Sequence, residues 1–84
     1  HERAGRGGVI VDHTLERLAA EVRQRRIDLE LSQSEVAALA GTSVRWIRDL
    51  EHGKATVRLD KVADVMAALG LELKAELRRP GIVP

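Results

Sequence analysis

The chain of 84 residues contains no cysteine, no phenylalanine and no tyrosine, and its one aromatic side chain is Trp46. Without cysteine there is neither a disulfide framework nor a thiolate metal site, so the fold must stand on packing, as suits a reducing cytoplasm. The histidines at 1, 13 and 52 lack any metal-ligand spacing. No metal or cofactor is expected. A core of leucine, alanine and valine with almost no rings points to helices packed closely through small side chains. The longest apolar runs are far too short to cross a bilayer, so no membrane association is expected. The opening HERAGRGG lacks the apolar region of a signal peptide and reads as a tail, residues 1–8, outside the domain.

At this length there is room for one domain. Apolar residues make up 44% and charged residues 32%, ordinary values for a folded protein, and the net charge is +1. That balance neither argues for a nucleic-acid partner nor excludes one, because only the placement of charge on a surface matters.

Residues 12–29 repeat apolar positions at helical spacing, Leu15, Leu18, Val22 and Leu29, with Asp12 and Glu16 early and Arg23, Arg25 and Arg26 late, as the helix dipole favours. One turn beyond Val22 the stripe reaches Arg26. An arginine on an apolar face needs an anion. Ser32, with Glu35 three residues on, predicts a capping box that starts a short second helix at 33–40, which Gly41 ends. Thr42 or Ser43 then caps a third helix, 44–51, whose inward residues are Ile47 and Leu50. His52 and Gly53 stop it. Residues 54–57 read as a loop, after which Leu59, Val62, Ala63, Met66 and Leu69 form a fourth amphipathic stripe closed by Gly70.

Past Gly70 the period changes from helical to alternating: Leu71, Leu73, Ala75 and Leu77 face one way and charged residues the other, until Pro80. Val9-Ile10-Val11 is the only other strand candidate, and it is very short. A lone amphipathic strand exposes unpaired backbone. Pairing with its own copy across a two-fold axis would bury Leu71, Leu73 and Leu77; the alternatives are a continued helix or an irregular tail.

Two short helices joined by a glycine turn are the layout of a helix-turn-helix, and 33–52 fits it with Ala37 at the helix crossing and Val36, Ala40, Ile47 and Leu50 inward. The segment LSQSEVAALAGTSVRWIRDLEHGKATVRLDKVADVMAALG resembles the XRE-family helix-turn-helix domains, which include the lambdoid phage repressors; the resemblance covers about residues 15–70. With its KATVRLDKV run and C-terminal LELKAEL, the chain looks most like the HipB-type antitoxins. The resemblance implies a mainly α, lambda-repressor-like bundle of four or five helices, with a C-terminal β-strand pairing across a homodimer. It implies as partners a double-stranded DNA operator and a HipA-like serine/threonine kinase toxin.

A helix fits the major groove, where base edges show distinct donor and acceptor patterns. Ser43, Val44, Arg45, Arg48 and Asp49 are therefore the candidate base readers, with Arg45 suited to guanine, Val44 to a thymine methyl, and Asp49 also able to hold Arg45 or Lys54 in place. Gln33 and Ser34, at the start of the second helix, and Lys54, Thr56 and Arg58, leading into the fourth, are candidate phosphate contacts. Trp46 reads as a packing residue on the edge of the motif or as a stacking or phosphate contact. The resemblance places Arg26 against Glu51 as a structural ion pair. The expected layout is a helix-turn-helix domain at 9–70, a dimerisation strand at 71–79 and a tail at 80–84.

The functional expectation is a repressor acting as the antitoxin of a HipBA-type operon, bound to a palindromic operator in the cytoplasm. A stand-alone XRE-family regulator is the alternative, and an adaptor that no longer binds DNA a third reading. No nucleophile and base are paired in the sequence, so no enzyme is expected.

Overall fold

The computed structural model describes residues 13–54 and 56–75, together with the backbone of 9–10 and 82–83. Four helices carry the domain: α1 (Thr14–Asp28), α2 (Gln33–Ala40), α3 (Val44–Glu51) and α4 (Leu59–Ala68). Two strands of two residues each, β1 (Val9–Ile10) and β2 (Ile82–Val83), pair antiparallel, with Val9 opposite Val83 and Ile10 opposite Ile82. The strand candidate near the N-terminus thus finds its partner in the stretch expected to be a tail.

Local chemistry sets the helix starts. Ser32 Oγ accepts from the Glu35 backbone N–H at 3.0 Å while the Glu35 carboxylate accepts from the Ser32 N–H at 2.7 Å, a complete capping box for α2. Ser43, rather than Thr42, caps α3, its Oγ accepting from the Trp46 N–H at 3.1 Å. All four helices end in the same closure, in which two successive N–H groups past the helix bond back to carbonyls near its end. The second of these bonds is Leu31 to Arg26, Thr42 to Ala37, Lys54 to Asp49 and Leu71 to Met66. The closure requires a left-handed residue. Gly41, Gly53 and Gly70 supply it for α2, α3 and α4, whereas α1 uses Glu30 at φ 58°.

Helix α2 packs on both α3 and α4, and α1 packs on α3. Val22, Val36, Ala37, Ile47, Leu50, Val62, Val65, Met66 and Leu69 form the buried core, with Trp46, Val44 and Leu71 half-buried against it. Three expectations need correction. Leu29 lies past the end of α1 at its cap and is exposed, and the buried residues of α1 are Ala19 and Val22. In α4, Leu59 and Ala63 are exposed while Val65 is buried, because the inward face that meets α2 runs through 62, 65, 66 and 69.

The third correction concerns the segment after Gly70. Residues 71–75 form neither strand nor helix. Leu71 donates its N–H to the Met66 carbonyl at 2.7 Å and turns onto the core, the apolar contact that completes a helix closure, so the first leucine of the alternating run belongs to α4. Leu73 is exposed, and Leu77 lies outside the described residues, as do the tail at 1–8 and Asp12.

Candidate nucleic-acid interface

The exposed arc of α3 is defined by what holds its other sides. Ile47 and Leu50 are buried, and at about 100° per residue they point opposite Arg45 and Arg48, which are exposed. Val44 and Glu51 lie on the flank facing α1 and α2, and Trp46 lies on the flank facing α4. Val44 is half-buried against the core, so less of it faces outward than its place at the start of the helix suggests.

The α1 flank is built around Glu51. Arg26 meets it with two hydrogen bonds, Nε to Oε2 at 2.6 Å and Nη2 to Oε1 at 3.0 Å. Gln33 Nε2 donates to the same carboxylate at 3.2 Å, and Arg26 Nη1 donates to the Leu31 carbonyl at 3.0 Å. The Arg26 and Glu51 side chains are 14% and 3% exposed, so this is a buried pair. Burial pushes the Glu51 carboxyl up, but the bonds from Arg26 and Gln33 and the charges of Arg26 and Arg23 outweigh it and hold the carboxyl below its usual range. The same hydrogen bond raises Arg26 against the effect of its own burial. One carboxylate thus ties together α1, α2 and the end of α3. This fixes the angle at which α3 shows its outer edge.

Beside this pair an open cleft is lined by Arg23, Arg26, Ser32, Gln33, Arg48, Glu51 and His52. Since Glu51 is already matched to Arg26, the remaining character of the cleft is cationic. Arg23 and His52 are its unforeseen members. His52 Nδ1 lies 2.7 Å from the Arg48 carbonyl oxygen at the end of α3 and bridges to it as donor. Arg23 had a signal, since it precedes Arg26 by one turn and must share its side of α1; His52 reads locally as a helix stop and joins the cleft only through packing.

On the α4 flank, Asp49 is half-buried with Lys54 Nζ 3.6 Å away, so its carboxylate holds Lys54. Arg58 grips Asp60 with two bonds, Nη2 to Oδ2 at 2.6 Å and Nε to Oδ1 at 3.1 Å, which lowers the Asp60 carboxyl from its usual range. Thr56 and Ser34 are exposed, and the Ser43 oxygen is engaged as a cap while its O–H remains able to donate. Among the described residues neither Arg45 nor Arg48 has a carboxylate within ion-pair distance. The two unpaired guanidinium groups at the centre of the arc thus stand between Arg26 on one side and Lys54 and Arg58 on the other, each of which already holds a carboxylate.

The sequence pattern of a helix-turn-helix domain family matches residues 17–79, three-quarters of the chain and all four closures of the bundle. The chain belongs to this helix-turn-helix family. A relative from Sinorhizobium fredii, named as the uncharacterized HTH-type transcriptional regulator y4mF, is 39% identical over 64 residues, covering 76% of this chain and 82% of that protein. Within the helix-turn-helix, α2 and α3 form the motif and Gly41 its turn. Among the described residues no helix is long and apolar enough to cross a membrane, and no group of three potential ligands could hold a metal ion.

Proposed function

We propose that this helix-turn-helix protein is a sequence-specific DNA-binding transcriptional repressor that reads operator DNA with α3. The observation that carries this reading is the outer edge of α3, where Arg45 and Arg48 stand exposed and unpaired while the Arg26–Glu51–Gln33 bracket fixes the helix from behind. Arg45 makes the bidentate contact to a guanine, Arg48, Ser43 and the exposed part of Val44 add contacts around it, and Asp49 acts through Lys54 or accepts from cytosine. Gln33 and Ser34 meet a phosphate at the start of α2, beside the cationic cleft. Lys54, Thr56 and Arg58 are phosphate contacts on the other flank, with Lys54 and Arg58 exchanging their carboxylates for phosphate oxygens.

Two copies acting together would place two α3 helices in successive major grooves, about 34 Å apart on a palindromic site. Leu71, Leu73 and Leu77 are the proposed dimer contacts. In support, Leu73 is exposed, and Leu71 and Leu73 border a groove with Leu18 and Met66. The finer proposal is an antitoxin of a HipBA-type operon whose second partner is a HipA-like kinase. A stand-alone regulator is the second reading, favoured by the printed name of the y4mF relative.

Gel shift on the DNA upstream of the protein's own gene tests the DNA reading: the account expects a complex that resists competition by mixed-sequence DNA, and equal competition would contradict it. Purification from the native host separates the two finer readings. A co-purifying kinase-sized protein supports the antitoxin, and a homodimer alone supports the stand-alone regulator.

A further inference from the structure

Lys61, near the start of α4, differs from every other cation on its flank. Lys54 has Asp49 and Arg58 has Asp60, whereas among the described residues no carboxylate lies within ion-pair distance of the Lys61 ammonium. Its Nζ lies instead over the Trp46 ring, 5.8 Å from the centroid. An aromatic face attracts a cation without cancelling its charge, so Lys61 is held in place and left able to take an anion. Both residues are half-buried, which limits where the ammonium can go. Trp46 directly follows Arg45 on α3, about 100° round the helix on the α4 side.

Any duplex that offers its major groove to Arg45 and Arg48 presents phosphate ridges on both sides of α3. The ridge on the α1 side meets the cleft at Gln33. We propose that Lys61, seated on Trp46, is the anchoring cation for a DNA phosphate on the opposite ridge. This inference rests on the DNA-binding reading above and adds a contact to it. The arrangement gives Trp46 a purpose beyond packing, because the indole fixes the height of the ammonium relative to the edge of α3. A phosphate contact carries no sequence information, so Lys61 strengthens binding to all DNA alike.

The test uses the full chain, a labelled duplex from upstream of its own gene and a mixed-sequence duplex, with affinities measured over a salt series. Lys61→Gln should make the slope of log affinity against log salt shallower by about 0.9, the loss of one phosphate contact, on both duplexes. Lys61→Arg should keep the wild-type slope. Trp46 is the only tryptophan, so iodide quenching of its emission should fall when DNA is bound, as the phosphate takes the place that attracts iodide. A wild-type slope in Lys61→Gln, or undiminished quenching in the complex, overturns the inference while leaving the DNA-binding reading intact. Absence of DNA binding by the wild-type protein overturns both.

Discussion

Replacing Glu51 with glutamine removes one charge from a site where its partner cannot easily escape. Arg26 is 14% exposed and Glu51 3% exposed, and the two direct bonds are 2.6 and 3.0 Å long. Breaking a buried pair by removing one partner typically costs about 3 to 5 kcal/mol, because the remaining charge stays buried without compensation. Here the lower end, about 3 kcal/mol, is expected. Arg26 keeps its bond to the Leu31 carbonyl, and the new amide oxygen can still accept one hydrogen bond. In a domain of this size that loss lowers Tm by roughly 12 to 24 °C. Urea unfolding followed by circular dichroism and Trp46 emission measures it. The double replacement of Arg26 and Glu51 by methionine should come back to within about 1 kcal/mol of wild type, since no charge is then stranded.

The pH dependence has a definite sign. Glu51 is held below its usual range in the folded state, so its contribution is complete above the unfolded carboxyl pKa and is lost as pH falls through the folded value. The gap between wild type and Glu51→Gln should therefore be full at neutral pH and shrink in acid. A gap under about 0.5 kcal/mol at neutral pH, the size found for exposed pairs, would refute the argument.

Other predictions concern turns, caps and base reading. Glu30 occupies the left-handed position that glycine fills in the other three closures, so Glu30→Gly should raise stability in thermal unfolding by up to about 1 kcal/mol, the relief of 1 to 2 less the chain entropy of glycine. Gly41→Ala should do the reverse, costing about 1 to 2 kcal/mol by conformation alone, since an added Cβ meets nothing within 4 Å. Ser32→Ala should cost about 1 kcal/mol and let the Glu35 carboxyl, now held low by the Ser32 N–H and hydroxyl, rise toward its usual range in an NMR titration. Arg45→Ala should relax preference at one base pair of each half-site by about 1 to 3 kcal/mol in a binding-site selection, whereas Lys54→Ala should weaken all sequences alike.

Where the fold was legible in the sequence, the signals were local. The Ser32–Glu35 capping box and Gly41 bound α2, and Gly70 ends α4, each through residues adjacent to the helix end, so no distant contact is needed to read them. Glu30 carried no such signal, because a left-handed glutamate looks like any other, and the C-terminal end of α1 reads one residue too far, at Leu29 in place of Asp28. The inward face of α4 depends on where α2 lies against it, which the apolar stripe through Leu59 and Ala63 does not encode; the buried face runs through Val62, Val65, Met66 and Leu69. The alternating run after Gly70 misled for a similar reason: Leu71 is recruited to close α4.

The outer edge of α3 was legible because Ile47 and Leu50 define its opposite side by period alone, and Arg26 stood out as a charge on an apolar stripe. Arg23 shared the signal of Arg26, one turn away on α1, but His52 and Lys61 were not legible. Each joins the site from a different helix or helix end, and only packing brings Arg23 and His52 into one cleft or puts the Lys61 ammonium over the Trp46 ring.

The central claim is that DNA meets the edge formed by α3 and the start of α2. Backbone amide NMR of the protein, titrated with DNA from upstream of its own gene, addresses it most directly. The account predicts that the largest shifts fall on Ser43, Arg45 and Arg48, together with Gln33 and Ser34. Shifts confined to the outer face of α1 and to residues 71–75, with α3 unmoved, would contradict it.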